Sequence, residues 1–508
     1  MNTPKPVSLQ RNMIANYLGR GWSALMGLAF IPMYARLMGV EAMGVIGLFV
    51  TLQALCLLLD AGLSTTLNRE LARMSLFKDS AETMRNLVRT FEAPFWVSSF
   101  IGGLIVFAAA PVIAHHWVHV QVISPNAVQM AIRLMGLVLF FQLPLSLYGG
   151  GLLGLQRQIE YSLLNALWYT LRFAGAICAL KLFGPTLLTF FAWQVFVSIF
   201  ATGLNAVALW RALPKTNSRA RFDSSLLGSR WKFAAGLGGI SITLLVLNNV
   251  DKVILSRAVT LQAFGYYTLA WTLANAVRLL ADPLYITFFP RMSQAWASGD
   301  ALELARLYHT VCRMMAIAIV PLGLTMAFFA PEAVLCWTRS SVMVENTSAL
   351  VRLLAIGNVC LALTIVPYAL QLASGWTSLA LWSNLAAAGI LVPLMAVLAS
   401  AYGTLGGGIA WMVLNGTYLI VTVGLMHRRL LPGHLRHWAL TDVGQTLLGV
   451  VILLGVARLV LPQAHTPVAA LVVLFLVFAL AQVTAAMASP LRSQIGGKLK
   501  GMLAGARS

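Results

Sequence analysis

Fourteen apolar runs of bilayer length dominate the sequence and constrain its fold more than any other feature. About 20 apolar residues span the hydrocarbon core of a membrane as a helix. Backbone polar groups inside that core must be satisfied within helices or closed barrels. The sequence therefore predicts an all-α polytopic membrane protein with 14 transmembrane helices. The runs cover residues 13–36, 43–66, 87–113, 128–153, 161–181, 186–210, 234–256, 262–287, 310–337, 349–373, 377–400, 404–427, 438–461 and 467–488.

The composition supports a membrane protein and excludes a soluble or nucleic-acid-binding one. Only 10% of the residues are charged and the mean hydropathy is +0.82, whereas soluble domains carry roughly 25% charged residues. The net charge is +20, but 24 of the 35 Lys and Arg residues fall in one set of loops and tails, and five in the alternate set. This bias predicts a multi-pass protein with both termini in the cytoplasm, in contact with membrane lipids.

Neither the cysteines nor the histidines predict a metal site or a cofactor. The five cysteines stand singly in apolar runs, without ligand spacing. His115, His116 and His119 cluster after the third run, but no acid lies beside them, which is typical of a wet interfacial loop. The loops are short, and a protein with so little chain outside the membrane is not expected to be an enzyme.

The sequence also contains a faint internal duplication. Arg36–Gly44 aligns with Arg257–Gly265 at a spacing of 221 residues, and Asp60 aligns with Asp282 at 222. Six spans separate the copies, so both enter the membrane in the same sense, which predicts two pseudo-symmetric six-helix lobes that work by alternating access. The predicted divisions are an N-terminal lobe (1–210), a cytoplasmic linker (211–232), a C-terminal lobe (233–430), and two extra C-terminal helices with a tail (431–508).

Five arginines at membrane depth are candidates for substrate binding, because a buried charge costs at least about 2.5–3.5 kcal/mol on insertion scales. A guanidinium fork also matches the oxygens of a diphosphate. The alternatives are that Arg278 is neutralised by Asp282 one turn later, and that Arg133 and Arg352 reach the headgroups. The five candidates are Arg20, Arg133, Arg172, Arg278 and Arg352.

Four further charged residues are candidates for coupling or gating. Asp60 and Asp282 are repeat mates, and each lies beside a helix-breaking Gly or Pro. They are interpreted as structural bends, with pairing to arginines or proton uptake as alternatives. Asp251 and Lys252 are neighbours within one span without a counterpart in the first lobe. This pair predicts either a lock between helices or ion coupling.

Several motifs resemble those of polysaccharide transporters. Asn249–Arg257 and Gly265–Ala270 resemble the start of their second lobe, as does Phe289–Ser293. Asp60–Ser64 with Asn68-Arg69 is similar to their second span. On these motifs the chain resembles the Wzx-type O-antigen and exopolysaccharide repeat-unit flippases of the MOP superfamily, which also includes MATE drug exporters and MurJ-type lipid II flippases.

The resemblance implies a cargo and a location. The cargo would be an undecaprenyl-diphosphate-linked glycan, carried from the cytoplasmic to the periplasmic leaflet of a bacterial inner membrane through a cationic cavity. A proton or sodium ion would couple transport, and a polysaccharide polymerase would be a partner. The two extra helices would form a groove for the lipid tail. The alternatives are a lipid II flippase, or a MATE-type exporter with an acidic cavity and twelve spans.

Overall fold

The computed structural model describes residues 9–60, 62–75, 77, 80–228 and 247–490, and the side chains of residues 9–18, 20 and 377 lie outside this description. The described chain is helical, with one isolated bridge between His119 and Thr260. The helices of its first half are α1 Leu9–Met38, α2 Val40–Cys56, α3 Leu63–Met74, α4 Ala81–Val112, α5 Pro125–Gly154, α6 Gln158–Thr170, α7 Ala176–Phe183, α8 Leu187–Ala212, α9 Ser224–Gly228 and α10 over 247–258.

The helices continue through the second half of the chain. They are α11 Leu261–Asn275, α12 Ala281–Ala297, α13 Ala301–Phe328, α14 Ala330–Thr338, α15 Ser341–Ala373, α16 Thr377–Tyr402, α17 Thr404–Leu430, α18 Leu435–His437, α19 Gln445–Val460 and α20 Pro467–Ala488. Short 3₁₀ segments lie at Leu57–Asp60 and Ala276–Leu280, and π-helical segments at Ile113–Trp117, Leu171–Gly175 and Trp438–Gly444.

Eleven helical segments in the described residues are long and apolar enough to cross a membrane. They coincide with eleven of the fourteen predicted runs and confirm an all-helical, multi-pass membrane protein. Of the other three runs, 13–36 falls in α1, most of 234–256 lies outside the described residues, and 262–287 is interrupted by a 3₁₀ segment. The number fourteen therefore stays a prediction.

The predicted duplication is visible in the order of helices and their breaks. In the first copy, α2 is followed by the 3₁₀ segment Leu57–Asp60 and then by α3. In the second copy, α11 is followed by Ala276–Leu280 and then by α12. Asp60 ends the first break, and Gly62 closes it with a positive φ of 77°, a conformation that favours glycine. A 3₁₀ segment thus ends at Asp60 and another directly precedes the helix turn of Asp282, and the bends predicted beside these two acids stay a prediction.

Contacts divide the chain into two units, Met1–Gly265 and Tyr266–Ser508, with the boundary inside α11. The lobe boundaries taken from the sequence stay a prediction. In the first unit α5 is central, because α3, α4 and α8 all pack against it. Gly150 and Gly154 allow the α3 contact: a Cβ on either glycine would lie 2.8 or 2.5 Å from a carbonyl oxygen of α3.

In the second unit α13 and α15 form the centre, and α12, α14 and α17 pack around α15. The two C-terminal helices α19 and α20 contact each other and α13, and α20 also contacts α14. An ion pair fastens α19 to α14, since Arg458 Nη1 lies 2.6 Å from Glu332 Oε1. The outer faces of α19 and α20 carry exposed apolar side chains such as Ile452 and Phe475, which suits contact with lipid.

Candidate functional site

A cavity of about 570 Å³, lined by apolar and polar side chains, lies in the first unit among α2, α3, α5, α6 and α8. Its volume is in the range of pockets that bind small molecules. Amides, hydroxyls and aromatic rings dominate the polar part of its lining: Gln53, Ser64, Thr65, Asn68, Gln142, Ser146, Tyr161, Asn165, Trp168, Tyr169 and Asn205. Among the described residues that line it, Arg172 alone carries a formal charge.

One wall of the cavity is a single stripe along α6 and the π-helical segment after it. Tyr161, Asn165, Trp168, Tyr169 and Arg172 follow one another at steps of three, four and one residues, so most of them share one face of a helix. All five line the cavity. The stripe therefore presents aromatic faces, an amide and a guanidinium to the same space.

Arg172 is held by aromatic rings and an amide. Its guanidinium carbon lies 5.3 Å from the Trp168 ring centroid and 5.6 Å from that of Phe49, close enough for cation–π attraction. Its Nη2 donates to Gln53 Oε1 at 2.8 Å. In the described part of the chain no carboxylate pairs with Arg172. Among the described residues, rings and an amide therefore hold this guanidinium in place of an acid.

The π-helical segment fixes the backbone around Arg172. A π turn leaves carbonyl groups available to partners outside the helix. Trp193 Nε1 donates to the carbonyl oxygen of Leu171 at 2.8 Å, and Gln194 Nε2 donates to that of Arg172 at 3.1 Å. Both donors lie on α8. The widened turn is therefore satisfied by its neighbour and directs Arg172 to the cavity wall.

Asp60 lies behind the cavity and caps α3. Its Oδ1 accepts the backbone N–H of Ser64 at 2.9 Å, and its Oδ2 accepts the Ser64 hydroxyl at 2.5 Å. Ser146 Oγ lies 3.4 Å from the same Oδ2. Ser64 and Ser146 line the cavity and Asp60 does not. This geometry fits the interpretation of Asp60 as a structural bend; its role in coupling stays a prediction.

Arg133 and Arg352 are repeat mates, and neither lines the cavity. Arg133 lies over the Phe107 ring at 5.4 Å, and Arg352 Nε donates to the Ala327 carbonyl oxygen at 3.2 Å. Arg352 is exposed. Phe107 and Ala327 themselves correspond in the repeat, at a spacing of 220 residues. The predicted role of the two arginines in binding stays a prediction.

Arg20 and Arg278 occupy different surroundings. Arg20 falls within α1, but its side chain lies outside the described residues. Arg278 sits in the 3₁₀ segment of the second unit and is half-buried. Asp282 is exposed, and in the described structure no contact ion pair joins it to Arg278. The structure thus does not neutralise Arg278 through direct contact with the acid one turn later.

Asp251 and Lys252 are both buried in α10 and contact each other. Lys252 Nζ lies 3.2 Å from each carboxylate oxygen of Asp251, and it also donates to the Asn248 carbonyl oxygen at 2.9 Å. The Asp251 side chain is fully buried and that of Lys252 is 10% exposed. The pair does not line the cavity. The choice between a helix lock and an ion-coupling role stays a hypothesis.

The uncharged part of this site was not predicted from the sequence. Arg172 stands out as a charge within an apolar run, whereas the amides that surround it do not. The signal was present in the helical spacing of Tyr161, Asn165 and Trp168 upstream of Arg172. Gln53 and Gln142, whose amide groups hydrogen-bond to each other, carry no local signal because they come from different helices.

Comparisons with known proteins agree on family and fold. A profile described as "Polysaccharide biosynthesis protein" matches residues 33–339. The solved structure "Lipid II flippase MurJ, inward closed conformation" superposes with a TM-score of 0.73 at 11% identity, covering 96% of this chain and 100% of that one. An inward-facing MATE family multidrug resistance transporter of the MOP superfamily gives 0.65 at 14% identity, covering 82% and 94%.

A third structure shows an outward-facing conformation of a MATE family multidrug resistance transporter of the MOP superfamily. Its TM-score is 0.56 at 16% identity, covering 85% of this chain and 99% of that one. No curated protein matches the sequence. At these identities the structural likeness establishes the fold, and the profile match, which extends over more than half of the chain, establishes the family.

Proposed function

Because the chain belongs to the polysaccharide biosynthesis protein family, we propose that it is a flippase for an undecaprenyl-diphosphate-linked oligosaccharide. It carries this lipid from the cytoplasmic to the periplasmic leaflet of a bacterial inner membrane, with both chain termini in the cytoplasm. The family and the fold are those of membrane transporters, and the protein acts as a transporter and not as an enzyme. The glycan is of the O-antigen or exopolysaccharide type.

The proposal rests on the surroundings of the Arg172 guanidinium. The guanidinium lies in the wall of the cavity, held by aromatic rings and Gln53. A charge at this depth is tolerated when an anion can meet it. A diphosphate supplies that anion, and the planar fork of arginine matches two of its oxygens.

The rest of the lining suits a sugar. Amide groups both donate and accept hydrogen bonds. Side chains such as Asn68, Asn165 and Asn205 can therefore pair with a sugar hydroxyl whether it donates or accepts. Trp168 and Tyr169 offer flat apolar faces for the C–H side of a pyranose ring. Such a lining binds hydroxyl-rich groups without selecting one charge pattern. A lining of this kind fits a cargo whose sugars are neutral and whose lipid diphosphate is charged.

The alternatives fit the cavity less well or differ only in the sugar. An exporter of cationic drugs of the MATE type needs acids facing its passenger, and the described residues lining this cavity include none. A lipid II flippase of the MurJ type would carry the same kind of lipid diphosphate with a different glycan. The cavity chemistry suits both lipid-linked glycans, and the family match favours polysaccharide repeat units.

The internal repeat supports a mechanism of alternating access between the two predicted lobes. The apolar outer faces of α19 and α20 support a role for these helices in holding the polyprenyl tail. Arg20 and Arg278 are proposed to add positive charge along the path of the diphosphate. Coupling to a proton or sodium ion is proposed for the acids Asp251 and Asp282, and a polysaccharide polymerase is the proposed partner that receives the product.

The proposal is tested with purified protein in vesicles that contain an undecaprenyl-diphosphate-linked oligosaccharide in one leaflet. A lectin added outside detects glycans that reach the outer leaflet. We expect Arg172→Gln to slow lectin-detected transfer by about tenfold or more, since hydrogen bonds to charged groups contribute ~1.5–3 kcal/mol. Arg429→Gln is the matched control: Arg429 also stacks on a ring, with its guanidinium carbon 4.2 Å from the Trp376 centroid, but it does not line the cavity.

Equal transfer by wild type and Arg172→Gln, at equal reconstituted protein, would remove the basis of the proposal. Transfer of lipid II in the same vesicles, without transfer of the polysaccharide repeat-unit lipid, would instead establish the lipid II alternative. Export of a fluorescent organic cation would favour the drug exporter.

A further inference from the structure

Half of the histidines of this protein converge at one place in the second unit. The chain has eight histidines, and four of them surround the junction between α13 and the start of α19, together with Asp442 and Arg313. The four are His309, His427, His434 and His437. Nothing in the proposed transport of a lipid-linked glycan uses this cluster.

The local helix geometry brings His309, His437 and Asp442 close together. His309 and Arg313 are one turn apart on α13, so they share a face of that helix. His437 directly precedes the π-helical segment Trp438–Gly444, which contains Asp442. A π turn is closed by an i→i+5 hydrogen bond, which brings residues five apart close to each other. His437 and Asp442, which are five residues apart, are therefore stacked on the side that meets α13.

The donor atoms lie at the separations of a metal site. One ring nitrogen of His309, one of His437 and a carboxylate oxygen of Asp442 all fall within 4.8 Å of one another. His309 Nδ1 contacts Asp442 Oδ2 directly, and His437 Nε2 lies 3.6 Å from Asp442 Oδ1. Asp442 is fully buried, whereas the His437 side chain is 46% exposed and leaves a path from solvent.

A second arrangement typical of metal sites is also present. A metal-bound histidine normally donates its other ring N–H to an acceptor that fixes the ring. His309 Nε2 lies 2.8 Å from His434 Nδ1, on the side of the ring opposite Asp442. His309 is thus already oriented by an outer partner while its Nδ1 points into the donor triangle.

We propose that His309, His437 and Asp442 bind a divalent transition-metal ion, with Zn²⁺ as the reference ion and His434 as the orienting partner of His309. Two imidazoles and one carboxylate form a donor set that zinc accepts, with water in the fourth position. Ligands of tetrahedral zinc stand about 3.3 Å apart, so the direct contact between His309 and Asp442 widens on binding. The sequence alone predicted no such site.

Arg313 competes with the ion and also shapes the site. Its Nε lies 2.7 Å from Asp442 Oδ1, and its Nη2 lies 3.0 Å from His437 Nε2. The pair with Oδ1 leaves Oδ2 to face the ion. The contact with His437, however, has to be given up when the metal binds. The positive charge of Arg313 so close to the metal ion lowers the affinity of the site for that ion. Metal binding should therefore depend on this arginine.

The ion would join α13 to the chain that leads into α19. Arg458 and Glu332 already fasten the far end of α19 to α14. A metal at His309, His437 and Asp442 fastens the near end, and the two C-terminal helices then stay with the second unit. The inference is independent of the cargo, so it survives if the proposed transport function fails.

The test measures zinc on full-length protein carrying an affinity tag without histidine. After treatment with a chelator, the protein is dialysed against micromolar free Zn²⁺, and bound metal is quantified by mass spectrometry. We expect about one ion per chain for the wild type. His437→Gln, at a half-exposed position, should lose most of it. His434→Ala should weaken binding ~10–100-fold, as loss of an orienting partner does.

Four further comparisons make the result decisive. His465→Ala, at an exposed position in the loop before α20, and the double variant His115→Ala/His116→Ala should keep the ion. Arg313→Gln should bind zinc more tightly, because a competing cation is removed. With Co²⁺ in place of Zn²⁺, the visible absorption of a tetrahedral site should be present in the wild type and absent in His437→Gln.

Four results would overturn the proposal. The first is no stoichiometric uptake by the wild type. The second is full uptake by His437→Gln, and the third is loss of uptake in the His115/His116 variant in place of the His437 one. Unchanged or weaker binding by Arg313→Gln would also reject the placement of the ion beside Asp442.

Discussion

Gly44 and Gly265 are repeat mates, and each lies against the backbone of the other's helix. A Cβ on Gly44 would be 2.2 Å from the carbonyl oxygen of Leu261, and one on Gly265 would be 2.1 Å from that of Val40. Val40 and Leu261 are themselves repeat mates, at the same spacing of 221 residues. The first turns of α2 and α11 therefore cross in a reciprocal contact that only glycine permits.

Replacing either glycine by alanine should separate the two helix starts. We expect Gly44→Ala and Gly265→Ala each to cost about 1–3 kcal/mol, as overpacking against rigid atoms does. The melting temperature in detergent should fall, and so should transport at equal protein level. Gly416→Ala is the control, because nothing lies within 4 Å of a Cβ at that helical position. Equal melting of Gly44→Ala and Gly416→Ala would contradict the tight crossing.

Glu41, in the first turn of α2, should be needed to hold the loop after α4. Its buried carboxylate accepts the backbone N–H groups of Gln121, Val122 and Ile123 at 2.5, 2.8 and 2.7 Å. Glu41→Ala leaves three donors unsatisfied, and we expect a loss of ~2–4 kcal/mol in stability. Glu41→Gln should lose less, because its carbonyl oxygen still accepts. Thermal melting of the two variants checks this order, and equal losses would contradict it.

The ion pair between Arg458 and Glu332 should respond to single and double substitution differently. Glu332 is 1% exposed and Arg458 is 24% exposed. Arg458→Met leaves a buried carboxylate without its partner, and breaking a buried pair in this way costs ~3–5 kcal/mol. Adding Glu332→Gln removes that charge and should recover much of the loss. If the double variant melts at a lower temperature than Arg458→Met, the unpaired carboxylate of Glu332 is not what destabilises the single variant.

Two substitutions of Asp60 distinguish a structural role of this acid from a role in ion coupling. Asp60→Asn keeps an oxygen that can accept the Ser64 N–H, so a structural role predicts near-normal transport and stability. Asp60→Ala removes the cap of α3 and should cost about 1 kcal/mol. Transport is compared in vesicles with and without an imposed proton gradient. Loss of gradient-driven transport in Asp60→Asn, with unchanged melting, would assign coupling to this acid.

The stripe on α6 should control recognition of the passenger's sugar. Asn165→Leu and Trp168→Ala remove an amide and a flat ring from the cavity wall. We expect each to raise the concentration of lipid-linked oligosaccharide needed for half-maximal transport several-fold, since one hydrogen bond contributes about 1 kcal/mol. Leu163→Ala, on the outer face of the same helix at 67% exposure, should change it little. A larger effect at Leu163 than at Asn165 would contradict this role of the stripe.

Several features followed from the sequence because they depend on local chain properties. Runs of about 20 apolar residues define spanning helices whatever their neighbours are, and eleven of them coincide with helices of the structure. The repeat was readable because Gly44 with Gly265 and Arg133 with Arg352 keep a nearly constant spacing. The helix breaks were readable beside Asp60 and Asp282, since glycine and proline act on the backbone itself.

Only the tertiary structure decided which polar groups meet. Gln53, Gln142 and Arg172 come from three different helices, and His309 approaches Asp442 across 133 residues of sequence. The rotation of each helix about its axis sets such encounters, and packing of neighbouring helices determines that rotation. The sequence thus determined a duplicated, all-helical membrane protein with charges at depth. Packing alone selected a cavity around Arg172 and a cluster of histidines at the start of α19.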